Sequence, residues 1–379
     1  MTKTEFDLAI AGSGIMGLAC ALQAAKSGKK VMVFDPSEES AKASWAAAGI
    51  LVTRDAHHFL SPFREFYVRS IQQYPTWLQE IQNHSGMKIP LYREGDYQIY
   101  DLSHPKGEEQ GEAKRKQLER EKSQNYTVTS QLPAFLNKEV SLKKVAVYHF
   151  PQEAYIQNRD LLGGLKKACD NLGVTFITKL PIGPWDFSGG KTHLNFDAKG
   201  HSQYIATQVL IAAGAWSQSL LDSLGYVGNL IPVKGQMMRI PKFYSENCMV
   251  HFEESLYLVP RSDSLIIGAT TEAGIWKEGF DEIGEEYLGK KLAEFLPSIA
   301  KNKMESWAGF RPRTRDRLPW MGWLNAEKGW ALCTGHYKCG ISMAPLAAEC
   351  MNQLLRDEKT KVDLDPFNPW RKQGLSKKL

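Results

Sequence analysis

The chain has 379 residues, 43% of them hydrophobic, and that length makes two domains the default expectation. Its 47 basic and 42 acidic residues leave a formal charge of +5, which describes a mixed solvated surface and is poor support for nucleic-acid binding. The six cysteines (Cys20, Cys169, Cys248, Cys333, Cys339 and Cys350) form no C-x-x-C pair and no zinc spacing, so no disulfide framework and no metal site are expected. Reduced thiols, no charged-then-apolar leader in residues 1–5 and no run approaching about 20 apolar residues together point to a cytoplasmic chain without a membrane span.

In chain order, Phe6, Leu8 and Ile10 alternate with smaller or polar positions, and Ala9 and Ala11 complete a short buried strand. Gly12-Ser13-Gly14-Ile15-Met16-Gly17 follows, the G-x-G-x-x-G pattern. It opens a helix with Ile15, Leu18, Leu22 and Ala25 on one face, stopped by Gly28. Val31–Phe34 reads as the second strand, with Asp35 at its end. Gly12 permits a tight turn, Gly14 lets a pyrophosphate approach the backbone, and Gly17 lets the helix pack on the strand. The helix N-terminus offers N–H groups and partial positive charge to phosphates. Asp35 lies about 20 residues on, where an acid binds the ribose hydroxyls of an adenosine. A dinucleotide site is therefore expected on context, which a lone glycine-rich turn would lack.

Residues 53–84 read as helical, with Phe59, Phe63, Phe66, Tyr67 and Ile71 on a stripe that Tyr74, Trp77, Leu78 and Ile81 continue. Residues 90–100 turn strand-like. Residues 101–124, rich in Lys, Glu and Gln, read as a charged loop-plus-helix excursion outside the core. A helix over about Asn158–Leu172 precedes a strand at Val174–Ile177, and Val209–Ala213 forms a second buried strand ending in Gly214. Residues 231–310 are strand-rich (Gln236–Ile240, Leu256–Val259, Leu265–Thr270), with one helix near Glu285–Phe295. Trp330–Thr334 and a helix ending at Leu355 close the pattern. The fold class expected is α/β, a two-domain α+β arrangement in which a Rossmann-like domain (1–85, 150–220 and 306–362) interleaves with a strand-rich mixed-sheet domain (86–149 and 221–305). Residues 363–379 read as a solvated tail.

Five further blocks carry a resemblance: Ser44–Ile50, Ala213–Ser217, Pro232–Met237, Trp307–Pro312 with Thr314 and Asp316, and Thr334–Ile341. In order and spacing they resemble the flavin amine oxidase family that contains D-amino-acid oxidase, sarcosine oxidase and glycine oxidase. They are most similar to the bacterial glycine oxidases of thiamine biosynthesis. The resemblance implies FAD, with Ile15, Met16, Asp35 and Ser44 at the adenosine and pyrophosphate. Ala47, Ala48, Gly49 and Ile50 would lie along the ribityl chain and flavin, and Ile182 would meet the adenine. Gly214 belongs to the same cofactor-facing set, and the run His336, Tyr337, Lys338, Cys339, Gly340, Ile341 and Ser342 would wrap the flavin from the other side. Sarcosine oxidases bond flavin through a cysteine whose aligned position here is near Gly309, so non-covalent FAD is expected.

Amine oxidation by flavin needs little acid–base machinery, and the protein's task is to position the substrate. The resemblance makes Arg311 the carboxylate clamp and Tyr257 its hydroxyl partner; arginine suits that task because its fork pairs both oxygens. Lys338 stands where the best-studied glycine oxidases have arginine, and two readings remain open: a point charge for the substrate, or a surface lysine beside the cofactor. Thr271 and Ser255 replace a methionine and a histidine of the family pattern, and Arg313 and Arg317 replace small residues. Leu51 and Val52 also fill the pocket differently. These departures bear on the substrate, not on the cofactor. The expected function is oxidative deamination of a small amino acid, with oxygen as acceptor and a homo-oligomer compatible with the family. The alternatives are a same-fold dehydrogenase using a quinone or protein acceptor, and a tRNA aminomethyl-uridine modifying enzyme.

Overall fold

The computed structural model describes residues 4–36, 42–54, 56, 59, 61–121, 125–140, 142–178, 185–196, 204–299, 302–372 and 374–377, so Ile182 lies outside the described residues. Among them the strands build two large sheets. The first has a parallel core in the order Thr175–Thr178, Val31–Asp35, Thr4–Ala11, Tyr204–Ile211 and Trp330–Thr334. Leu8 pairs with Val31 and Ala11 with Phe34, so the first two strands end together. Gly12 N–H then donates to the Phe34 carbonyl at 2.9 Å, which brings the glycine turn beside Asp35. Helices Ile15–Lys26, Ser61–Gln72, Tyr74–Ser85, Asn158–Asn171 and Gly340–Leu355 bury their apolar faces in one core with this sheet.

The second sheet runs Glu305–Arg313, Ile231–Pro241, Ser264–Gly268, Leu256–Pro260, Met249–Phe252, Asp96–Asp101, Val145–Phe150 and Thr127–Thr129. Helix Glu282–Phe295 packs Leu288, Leu292 and Phe295 on one face of it. Its other face turns toward Ala46, Ala48 and Tyr155. The segments feeding the two sheets alternate along the chain, as the sequence pattern suggests. No helix among the described residues is long and apolar enough to cross a membrane. All six cysteines are free thiols.

Three expectations change. The single helical stripe over 53–84 is two helices broken at Gln73, because Pro75 sits in the first turn of the second and cannot continue the first. The charged segment forms helix Pro105–Arg120, and it is not an excursion from the core. Leu118 and the stem of Lys114 are buried, and Leu118 packs with Tyr100, Tyr148 and Phe150. The C-terminal residues dock as well: Phe367 is fully buried, and Arg371 grips Asp316 with two hydrogen bonds of 2.7 and 2.9 Å. Composition alone misses both cases, since each charged stretch is anchored by one or two apolar residues.

Candidate active site

The glycine turn lines a cavity of about 380 Å³ at the carboxyl ends of the parallel strands. Gly12 has φ +108°, and a Cβ there would stand 2.6 Å from the Ala212 carbonyl oxygen. A Cβ on Gly17 would fall 1.8 Å from the Gly12 oxygen, so the helix closes on the turn only as glycine. Asp35 accepts from Ser13 N–H at 2.7 Å and from Ser13 Oγ at 2.9 Å, and Lys42 Nζ lies 2.9 Å from the same carboxylate. Ser44 Oγ accepts from Ile15 N–H at 3.0 Å. Gly12, Gly14, Ile15, Met16, Asp35, Ser44, Gly214, His336, Tyr337 and Gly340 all face this cavity. Cys339 N–H donates to the His336 carbonyl at 2.9 Å within the C-terminal turn, and Ser342 Oγ donates to the Ile50 carbonyl at 3.4 Å, which ties the following helix to the Ala47–Ile50 segment.

Beyond this cavity, the second sheet turns one face toward Ala46 and Ala48. In its registers Arg311 faces Val233, Trp307 faces Met237, and Gly268 faces both Met237 and Tyr257, so all of these point to one side. Two glycines make room there. A Cβ on Gly235 would sit 2.2 Å from the Arg311 guanidinium, and one on Gly268 would sit 2.3 Å from the Tyr257 hydroxyl. Arg311 donates to the Thr270 carbonyl at 3.2 Å, and Tyr257 donates to Met237 Sδ at 3.2 Å. The pocket walls desolvate the Tyr257 hydroxyl and raise its pKa to about 12 against the opposing pull of Arg311 and Arg261, so it stays a neutral donor. Lys338 is exposed at the rim, its ammonium 5.5 Å from the centre of the Tyr337 ring. Gly235→Ala should push the guanidinium off this face and raise the Michaelis constant about tenfold or more without unfolding the sheet, since the clashing atoms end a flexible side chain. Unaltered substrate binding would show that the arginine works from another position.

The sequence profile of the DAO family of FAD dependent oxidoreductases matches residues 7–354. The chain belongs to that family. The glycine oxidase of Geobacillus kaustophilus is 27% identical over 386 residues, covering 98% of each chain. The bifunctional protein ThiO/ThiG of Synechocystis sp. is 28% identical over 378 residues, which cover 97% of this chain and 54% of that protein. The crystal structure of the Geobacillus kaustophilus glycine oxidase superposes with a TM-score of 0.86 at 25% identity over 98% of this chain and 100% of that one.

As in any FAD-dependent oxidoreductase the cavity must take a long, two-ended cofactor, and the residues present fit one. Gly12 and Gly17 admit no Cβ, which keeps the turn closed against the helix N-terminus that would receive phosphates. At the other end, His336 Nε2 is buried in the cavity wall without a hydrogen-bond partner among the described residues, the kind of orphan a bound polar group satisfies. Burial pulls the His336 pKa down to about 3, below the unfolded value of about 6.5, so the unfolded chain binds the extra proton. Stability of the cofactor-free protein should therefore fall as pH drops from about 6.5 toward 3, by at most about 1.4 kcal/mol per pH unit from this group. Thermal melts of wild type and His336→Asn across that range check it; parallel curves would rule out the neutral buried imidazole.

The sequence marks Asn158 only as a helix start and gives Arg261 no role, yet both hold the segment from Ser44 to Ala48. Asn158 donates to the Ser44 and Trp45 carbonyls at 2.8 Å each, and Arg261 donates to the Ala48 carbonyl at 3.0 Å and to Asn158 Oδ1 at 3.2 Å. Burial lowers the Arg261 pKa to about 10, still charged at neutral pH. A buried knot lies behind Tyr257. Asp96 pairs with Arg54 at 2.9 Å and with His251 Nδ1 at 2.7 Å, and Glu153 accepts from the Thr53 and Arg54 backbone. It locks the segment after Leu51 to the second sheet.

Proposed function

We propose that this FAD-dependent oxidoreductase oxidises the C–N bond of a small α-amino acid, as its glycine oxidase relatives are named for. The amino acid, oxygen and water become a 2-oxo acid, ammonia and hydrogen peroxide. The observation that carries this reading is the placement of Arg311 and Tyr257 side by side on one sheet face, opposite the Ala46–Ile50 loop that leads from the dinucleotide cradle. FAD, when bound, supplies the two-electron acceptor for the hydride leaving the α-carbon. Arg311 pairs both carboxylate oxygens, and the Tyr257 hydroxyl donates a further hydrogen bond. The guanidinium charge disfavours an ammonium nearby, which helps the substrate nitrogen bind with its lone pair available. Gly12–Gly17, Asp35 and Ser44 hold the adenosine and pyrophosphate, and Ala47–Ile50 and His336–Ser342 border the flavin, non-covalently. The domain division at 1–85, 150–220 and 306–362 against 86–149 and 221–305 belongs to the same reading.

Anaerobic mixing of the flavin-loaded protein with glycine, sarcosine and D- and L-amino acids tests it. Bleaching of the flavin band by one of them, with peroxide when air returns, is the expected result. Bleaching without fast reoxidation would replace oxygen by another acceptor. A flavin that no amino acid reduces would overturn the reading.

A further inference from the structure

Arg311 accounts for one carboxylate, but the chain around it carries more positive charge than one carboxylate answers. Arg313 follows on the same strand and the same face, opposite Ile231 as Arg311 is opposite Val233. Arg317 stands just beyond, in the exposed turn closed by its N–H to the Thr314 carbonyl. Lys338 joins them because Arg313 bridges to His336 and Tyr337 N–H donates to the Pro312 carbonyl at 2.8 Å. Among the described residues none of these four cations has an acidic partner. The acid within the segment, Asp316, is taken by Arg371. None of the four lines the dinucleotide cavity, so the cofactor's phosphates are not their counter-ions.

We propose that the mouth formed by Arg313, Arg317 and Lys338 binds a second anion, and that the preferred substrate is an amino or imino dicarboxylic acid. Its reacting amine sits between a carboxylate on Arg311 and a second one at the mouth. The inference rests on the amino-acid oxidation proposed above and names its substrate class. Clustered cations that remain unpaired repel one another, and a dianionic ligand is what removes that repulsion. The Lys338 ammonium registers the crowding: desolvation, then Arg311 and Arg317, lower its pKa. Lys338 thereby takes the first of the two roles left open by its position, as a point charge for the far end of the substrate.

The test uses the flavin-loaded full chain and matched pairs differing by one charge: iminodiacetate against its monoamide, and aspartate against asparagine in both enantiomers. The acid of at least one pair should reduce the flavin with kcat/KM tenfold or more above its amide, through KM, and the advantage should shrink with added salt. Lys338→Met and Arg317→Met should each cut that ratio several-fold. Amides that match their acids, or a ratio unmoved in both variants, would overturn the proposal. Malonate and its monoamide, titrated against the flavin absorbance, read the anion site without turnover. Tighter malonate binding that weakens in Lys338→Met supports the site even if no amine reduces the flavin, an outcome that overturns the oxidase reading instead. Equal binding of the two overturns the anion site.

Discussion

Arg311→Met should raise the Michaelis constant for the amino-acid substrate by about 10²–10³-fold, because removing one partner of a desolvated charge pair costs roughly 3–4 kcal/mol. The flavin should stay bound, since Arg311 lies on the second sheet and contributes nothing to the glycine cradle. Its one hydrogen bond within the described protein, to the Thr270 carbonyl, leaves most of the five guanidinium donors for the substrate. Arg311→Lys restores charge without the planar fork and should recover only about tenfold. Tyr257→Phe removes one hydrogen bond and should cost about tenfold, mostly in KM. Steady-state kinetics with flavin content measured in parallel distinguishes these outcomes. A full flavin complement with unchanged KM in Arg311→Met would remove the carboxylate clamp from the site.

The parts of this site that were legible in the sequence are those whose partners are close in the chain. Gly12, Gly14 and Gly17 act within six residues, and Asp35 is carried to them by a strand that ends in register with the first. Local spacing therefore encodes the cradle. The resemblance singled out Arg311 and Tyr257 but not the reason they meet. That reason lies in Gly235 and Gly268, each emptied of a side chain so that a distant residue can occupy its space. Asn158 and Arg261, more than a hundred residues apart, meet over the Ala48 carbonyl only because helix and sheet converge there. The charged helix Pro105–Arg120 reads as solvated for the same reason: Leu118 counts little in its composition but meets Tyr100 and Phe150 on two strands. Periodicity locates elements; it does not tell which faces of them meet.

The second large effect should come from Lys234, which is fully buried with its ammonium 2.6 Å from Asp281. Asp281 also accepts from Gln236 Nε2 at 2.6 Å and caps helix Glu282–Phe295 through the Ile283 and Gly284 N–H groups. Asp281→Asn leaves a buried ammonium without its counter-charge and should destabilise by about 3–5 kcal/mol in urea unfolding. In Lys234→Met/Asp281→Asn no uncompensated charge remains, and stability should return to within about 2 kcal/mol of wild type, since buried pairs are often replaceable by apolar groups. The two single effects should thus fail to add by 2 kcal/mol or more; strict additivity would deny the pairing. The Lys234 hydrogen bond, then that from Gln236, hold the Asp281 carboxyl well below the usual carboxylate range. Its contribution is therefore complete at neutral pH and wanes as pH falls from about 4, the unfolded value. Gln236 N–H donates to Thr270 Oγ1, and the Thr270 carbonyl holds Arg311. Loosening the pair should therefore also raise the substrate KM several-fold in the variants that still fold, coupling the sheet's interior charge to the position of Arg311.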